Sequence, residues 1–128
     1  MAYDFTDFTE TFYRGNSESF DIKITLADKV TPRDITGWTL WCTAKLNVLD
    51  ADSAAIFQRT TATGGGITLT NPTQGMARIN IIPANTETLT DAKTTLFADV
   101  QSRDPAGAIG TPITGKFIVV AEVTRATT

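Results

Sequence analysis

Apolar and polar residues alternate with a period of two along several stretches of this chain, and few folds can satisfy that pattern. Phe20, Ile22, Ile24 and Leu26 alternate with Asp21, Lys23 and Thr25, as in a strand with one buried face. Residues 36–46 put Trp38, Leu40, Cys42, Ala44 and Leu46 on one side and leave Trp41 on the polar side with Thr39, Thr43 and Lys45. Over 94–101, Leu96, Ala98 and Val100 alternate with Phe97, Asp99 and Gln101, and over 115–125 Phe117, Val119, Ala121 and Val123 share a face. Shorter runs at 54–60 (around Ile56 and Phe57), 67–70 and 76–82 read as further strands.

Turn chemistry separates these runs. Pro32 lies in a charged loop over 28–34, and Gly64-Gly65-Gly66, Asn71-Pro72-Thr73-Gln74-Gly75 and Asp104-Pro105-Ala106-Gly107 each reverse the chain. Pro83 ends the strand before it, and 84–89 has room for one helical turn. Threonine supplies 24 of the 128 residues, and this β-branched polar residue suits the solvent face of a strand. The expected fold is therefore all-β: one immunoglobulin-like β-sandwich of seven or more short antiparallel strands.

Residues 1–18 stand apart. Five of the eleven aromatic residues (Tyr3, Phe5, Phe8, Phe12 and Tyr13) fall within the first thirteen positions. Thr6, Thr9 and Thr11 disfavour a helix there, so the segment reads as an extended aromatic arm or first strand turning at Arg14-Gly15-Asn16-Ser17, with the sandwich occupying 19–128. Aromatic side chains this dense have to be buried, either on the chain's own sandwich or in a partner. Tyr3, Phe5, Phe8, Phe12 and Tyr13 are accordingly the expected docking residues.

Catalytic chemistry finds little support. The chain has no His, the usual general base and metal ligand near neutral pH. Its single cysteine, Cys42, precludes an internal disulfide and cysteine-cluster metal sites. Cys42 aligns with Trp38, Leu40 and Ala44, so it reads as a small buried apolar residue. A formal charge of −3 argues against nucleic acid as a partner, and no apolar run approaches the ~18 residues of a membrane helix. Residues 1–20 lack the basic start and apolar centre of a secretory signal. No cofactor or metal is expected.

Other candidates weaken on inspection. The three glycines at 64–66 precede a strand pattern, whereas a phosphate loop opens a helix. Asp50 and Asp52, like Asp4, Asp7 and Glu10, lack the ligand number and glycine of a calcium loop. Trp41, with Phe57 and Phe97 as further outward aromatics, offers a platform for protein docking or for stacking on a host glycan.

Several segments resemble small structural proteins of tailed bacteriophages. They are Ala2-Tyr3-Asp4-Phe5-Thr6, Phe12-Tyr13-Arg14-Gly15-Asn16-Ser17 before Phe20-Asp21-Ile22, and Asp34-Ile35-Thr36-Gly37-Trp38. Gly75-Met76-Ala77-Arg78-Ile79-Asn80-Ile81 through Ile82-Pro83-Ala84, Phe97-Ala98-Asp99-Val100-Gln101 and Val123-Thr124-Arg125 follow in order. Together they resemble the N-terminal domain of lactococcal-phage upper baseplate proteins and related small tail-region proteins. The resemblance implies a non-enzymatic virion protein, docked as an adaptor or accessory subunit on tail, baseplate or neck. It also implies other virion proteins as partners and multiple copies in a symmetric assembly. Arg14-Gly15-Asn16 stands where Arg-Gly-Asp is commoner, and no receptor-binding or trimerising segment follows within the 128 residues, so the expectation is either a free-standing accessory protein or one that decorates others. A capsid decoration subunit and a carbohydrate-binding module for host adhesion are the alternatives.

Overall fold

The computed structural model describes residues 6–26, 28 and 30–122. Among them run eight strands: β1 (Thr6–Tyr13), β2 (Glu18–Lys23), β3 (Thr39–Lys45), β4 (Phe57–Thr60), β5 (Ile67–Asn71), β6 (Met76–Ile81), β7 (Lys93–Arg103) and β8 (Ile109–Val120). One helical turn, α1 (Pro83–Thr86), follows β6. A five-stranded sheet has the order β1-β8-β7-β3-β4 and a three-stranded sheet the order β2-β6-β5. In a variable-type immunoglobulin sandwich, strands B, E and D form one sheet and G, F, C and C′ the other. Taken in chain order, β2, β6 and β5 occupy the first set of places and β8, β7, β3 and β4 the second. The chain is an all-β immunoglobulin-like sandwich.

The long alternating runs fold as their pattern requires. On β7, Thr94, Leu96, Ala98, Val100 and Ser102 are all buried, while Phe97 and Gln101 face out. Leu40, Cys42 and Ala44 of β3 point into the core against Ile22, Ile35, Ile79 and Ile81 from the facing side. Boundaries depart from the pattern where the backbone leaves the sheet. Leu46, expected inside, is 45% exposed because β3 ends one residue earlier. Phe57, a candidate outward aromatic, is buried, with its ring 5.5 Å from that of Phe117.

Of the two readings of the aromatic segment, arm or first strand, the structure takes the strand over the described residues. Residues 6–13 are an edge strand of the five-stranded sheet, so the boundary at 18/19 does not separate an arm from a sandwich. β1 pairs with β8 in parallel, with Phe8 opposite Gly115 and Phe12 opposite Val119. This pair is the exception to the expected antiparallel order, because the first strand joins the sheet beside the last one. Phe8 and Phe12 are four residues apart and therefore share one strand face, and that face meets the core. Their rings lie 5.3 and 5.8 Å from Phe117, and Phe20 of β2 stands 5.4 Å from the same ring. Phe117, fully buried on β8, is the hub around which strands from both sheets pack. Most of these contacts are edge-on or tilted, the arrangement the ring quadrupoles favour.

The turn after β1 is fastened as well. Gly15 takes φ +76°, a conformation that costs glycine little, and its amide donates to Thr86 Oγ1 at 2.9 Å. Arg14 donates from Nη1 to the carbonyl of Leu89 at 2.5 Å, and its Nη2 lies 3.6 Å from Glu122 Oε1. These bonds anchor the crossing from one sheet to the other.

Candidate functional site

The outward face of the five-stranded sheet carries three cross-strand rows of side chains. Gln58, Thr43, Asp99 and Thr114 are opposed in sequence across β4, β3, β7 and β8. Lys45, Phe97, Lys116 and Thr9 form the adjacent row across β3, β7, β8 and β1. Trp41, between Thr60 and Gln101, lies in the row on the other side of Asp99. These rows pave a groove of about 780 Å³. Val48 and Asp52 rise at the Lys45 end, and Ile109 closes the Trp41 end.

Most of the polar groups in the groove are already engaged. Lys45 Nζ lies 2.8 Å from Asp52 Oδ1 and donates to the carbonyl of Asp50 at 2.7 Å. Gln58 Nε2 donates to Thr43 Oγ1 at 2.9 Å. The Lys116 ammonium sits 5.7 Å from the centroid of Phe97, a cation–π contact that covers one face of that ring.

Asp99 differs from these. It is half-buried in mid-sheet and makes no hydrogen bond or ion pair with any described residue. Burial raises its carboxyl above the ordinary value; Lys45 opposes the shift and Asp52 adds to it. The Trp41 indole N–H likewise finds no acceptor among the described residues. The groove thus presents an aromatic surface, neutral hydrogen-bonding groups and one unpartnered carboxylate.

The residues singled out from sequence are dispersed. Tyr3 and Phe5 lie outside the described residues. Phe12 is buried and Phe8 half-buried, each with its ring against Phe117, which corrects their expected role as docking residues, because the chain's own core takes these side chains. Tyr13 is 53% exposed opposite Val120, farther along the same sheet face. Trp41 stands in the groove, and Phe97, 37% exposed, lines it two rows away. Cys42 is buried behind this face, its thiol pushed up to about 12 by desolvation and by nearby Asp99. Among the described residues no cluster of His, Cys, Asp and Glu could hold a metal ion, and no helix is long and apolar enough to cross a membrane.

Sequence reasoning missed Asp99, Gln101, Gln58 and Thr114 as neighbours of Trp41. A signal existed, since Asp99 and Gln101 follow Phe97 at two-residue spacing on the polar side of their run. What it lacked was the register that sets β7 beside β3.

No protein-family model matches the chain, and no curated protein does. Among solved structures, it is similar to AggA, the major subunit of aggregative adherence fimbriae type I from Escherichia coli. The two share 15% identity over 91% of each chain, with a TM-score of 0.33. The fold assignment rests on the strand order described above and not on this likeness.

Proposed function

We propose that this chain is a non-enzymatic structural subunit of a tailed-phage virion, docked on a neighbouring virion protein through the loop that follows β3. The observation that carries the docking is the exposure of three apolar side chains within four residues. Leu46 is 45%, Val48 67% and Leu49 96% exposed. Grouped apolar exposure of this kind marks interaction surfaces. Burying each side chain in a partner contributes roughly 1.5–3 kcal/mol.

The virion context is supported by the resemblance of the quoted segments to upper baseplate N-terminal domains. A single sandwich present in several copies on tail, baseplate or neck fits that reading. The buried, poorly ionisable Cys42 supports a role without nucleophilic chemistry.

The test uses particles of the phage that encodes the chain, purified on a density gradient and analysed by mass spectrometry. The wild-type chain co-purifies with particles. A Leu46→Ser, Val48→Ser, Leu49→Ser variant folds normally but is lost from them. Absence of the wild-type chain from particles overturns the virion reading, and full retention of the triple variant overturns the docking loop.

A further inference from the structure

We infer that the groove on the outer face of the five-stranded sheet binds a neutral oligosaccharide, with Trp41 as the platform for one sugar ring and Asp99 as the acceptor of its hydroxyl groups. This adds a second surface beside the docking loop, which reaches one end of the groove through Val48.

Charge favours a neutral ligand. The groove holds two lysines, Lys45 and Lys116, against two aspartates, Asp52 and Asp99. Lys45 is tied to Asp52, so neither an anion nor a cation meets a net opposite field.

Hydrogen-bonding capacity points the same way. Thr9 and Gln101 line the groove, as do Thr43 and Gln58, which keep further donor and acceptor positions beyond the bond between them, and such side chains both donate and accept, as sugar hydroxyls do. Asp99 only accepts when ionised, and it is half-buried with no partner among the described residues. Its desolvation is already incurred in folding, so two adjacent hydroxyls can make charge-assisted bonds to a carboxylate held in place.

Stacking selects Trp41. It is a diagonal neighbour of Asp99 across the β3–β7 pair, which places the two about 7–8 Å apart on one face. Its indole N–H has no acceptor among the described residues. Phe97 is less suitable because the Lys116 ammonium occupies one of its faces. The groove volume of about 780 Å³ lies within the usual range for small-molecule sites.

The test follows the Trp41 indole N–H resonance of the full, nitrogen-15-labelled chain, assigned with Trp41→Phe. Maltohexaose, cellohexaose, xylohexaose and N-acetylchitohexaose are each added to millimolar concentration. At least one produces a saturable shift, Trp41→Ala abolishes binding, and Asp99→Asn weakens it about tenfold through loss of the charge-assisted bonds. The Asp99→Asn variant leaves the sheet intact and decides the matter should Trp41→Ala fail to fold. Four flat titrations, or a shift unchanged in Asp99→Asn, overturn the inference. Particle incorporation of Asp99→Asn separates the two surfaces. Normal incorporation with weakened sugar binding supports a separate sugar site. Lost incorporation with no sugar binding assigns the groove to docking and overturns the sugar site.

Discussion

Phe8 of β1 lies directly opposite Gly115 of β8, with its ring and carbonyl oxygen in the space that a Cβ at position 115 would occupy. The parallel edge strand can approach the core this closely only because residue 115 has no side chain. Gly115→Ala therefore forces β1 outward and lowers stability by about 1–3 kcal/mol, the usual cost of overpacking. Urea unfolding measures the loss, and hydrogen exchange shows β1 amides losing protection before those of β7.

The ring at position 117 joins strands of both sheets. Phe117→Ala removes a fully buried aromatic that touches Phe8, Phe12, Phe20 and Phe57 and costs about 3–5 kcal/mol. Phe12→Ala is also strongly destabilising, whereas exposed Tyr13→Ala stays within about 0.5 kcal/mol. Equal effects of the two β1 substitutions in chemical denaturation would contradict the placement of Phe12 in the core.

Cys42 is expected to be inert in the folded chain. Its thiol is buried and pushed up to about 12, so the reactive thiolate is scarce at pH 8. A disulfide reagent labels it only as the protein unfolds, at a rate that rises with denaturant. Fast native-state labelling would place the thiol near solvent and contradict the packing of β3.

Asp99 makes stability fall as pH rises. Its folded carboxyl titrates above the ordinary 3.8, chiefly through burial, so the native state holds the proton more tightly than the unfolded one. Its contribution is most favourable below pH 3.8 and is lost as pH rises through the higher folded value. Asp99→Asn should then raise the melting temperature at pH 7 and leave it nearly unchanged at pH 3, as read by scanning calorimetry. Asp28 and Asp34 act in the opposite sense. Asp28 is lowered by hydrogen bonds from the Thr31 hydroxyl and the Val30 and Thr31 amides, and Asp34 by those from the Thr36 hydroxyl and amide. Stability from these two is present above the ordinary carboxylate value and lost as pH falls.

The alternating segments made much of the sandwich legible. Leu96, Ala98 and Val100 could satisfy their spacing only by turning one strand face inward, and the same holds for Leu40, Cys42 and Ala44. The candidate site was only half legible. Trp41 stood out as an aromatic among polar neighbours, but Asp99 was only one polar residue alternating with Leu96, Ala98 and Val100 until β7 was set beside β3. Phe57 was misplaced because a four-residue strand carries too little alternation to show which way its first residue faces.

Residue pattern alone determined that this chain forms strands, which faces of the long ones are buried and that its lone cysteine lies inside, because side-chain direction in a strand follows local spacing. Tertiary structure decided which strands are neighbours and what the aromatic N-terminal segment is for. Pairing between β1 and β8 joins residues more than a hundred positions apart, and no local pattern specifies such a partner or its register. The rings that looked available to a partner complete the core, because Gly115 lets their strand lie close enough to reach Phe117.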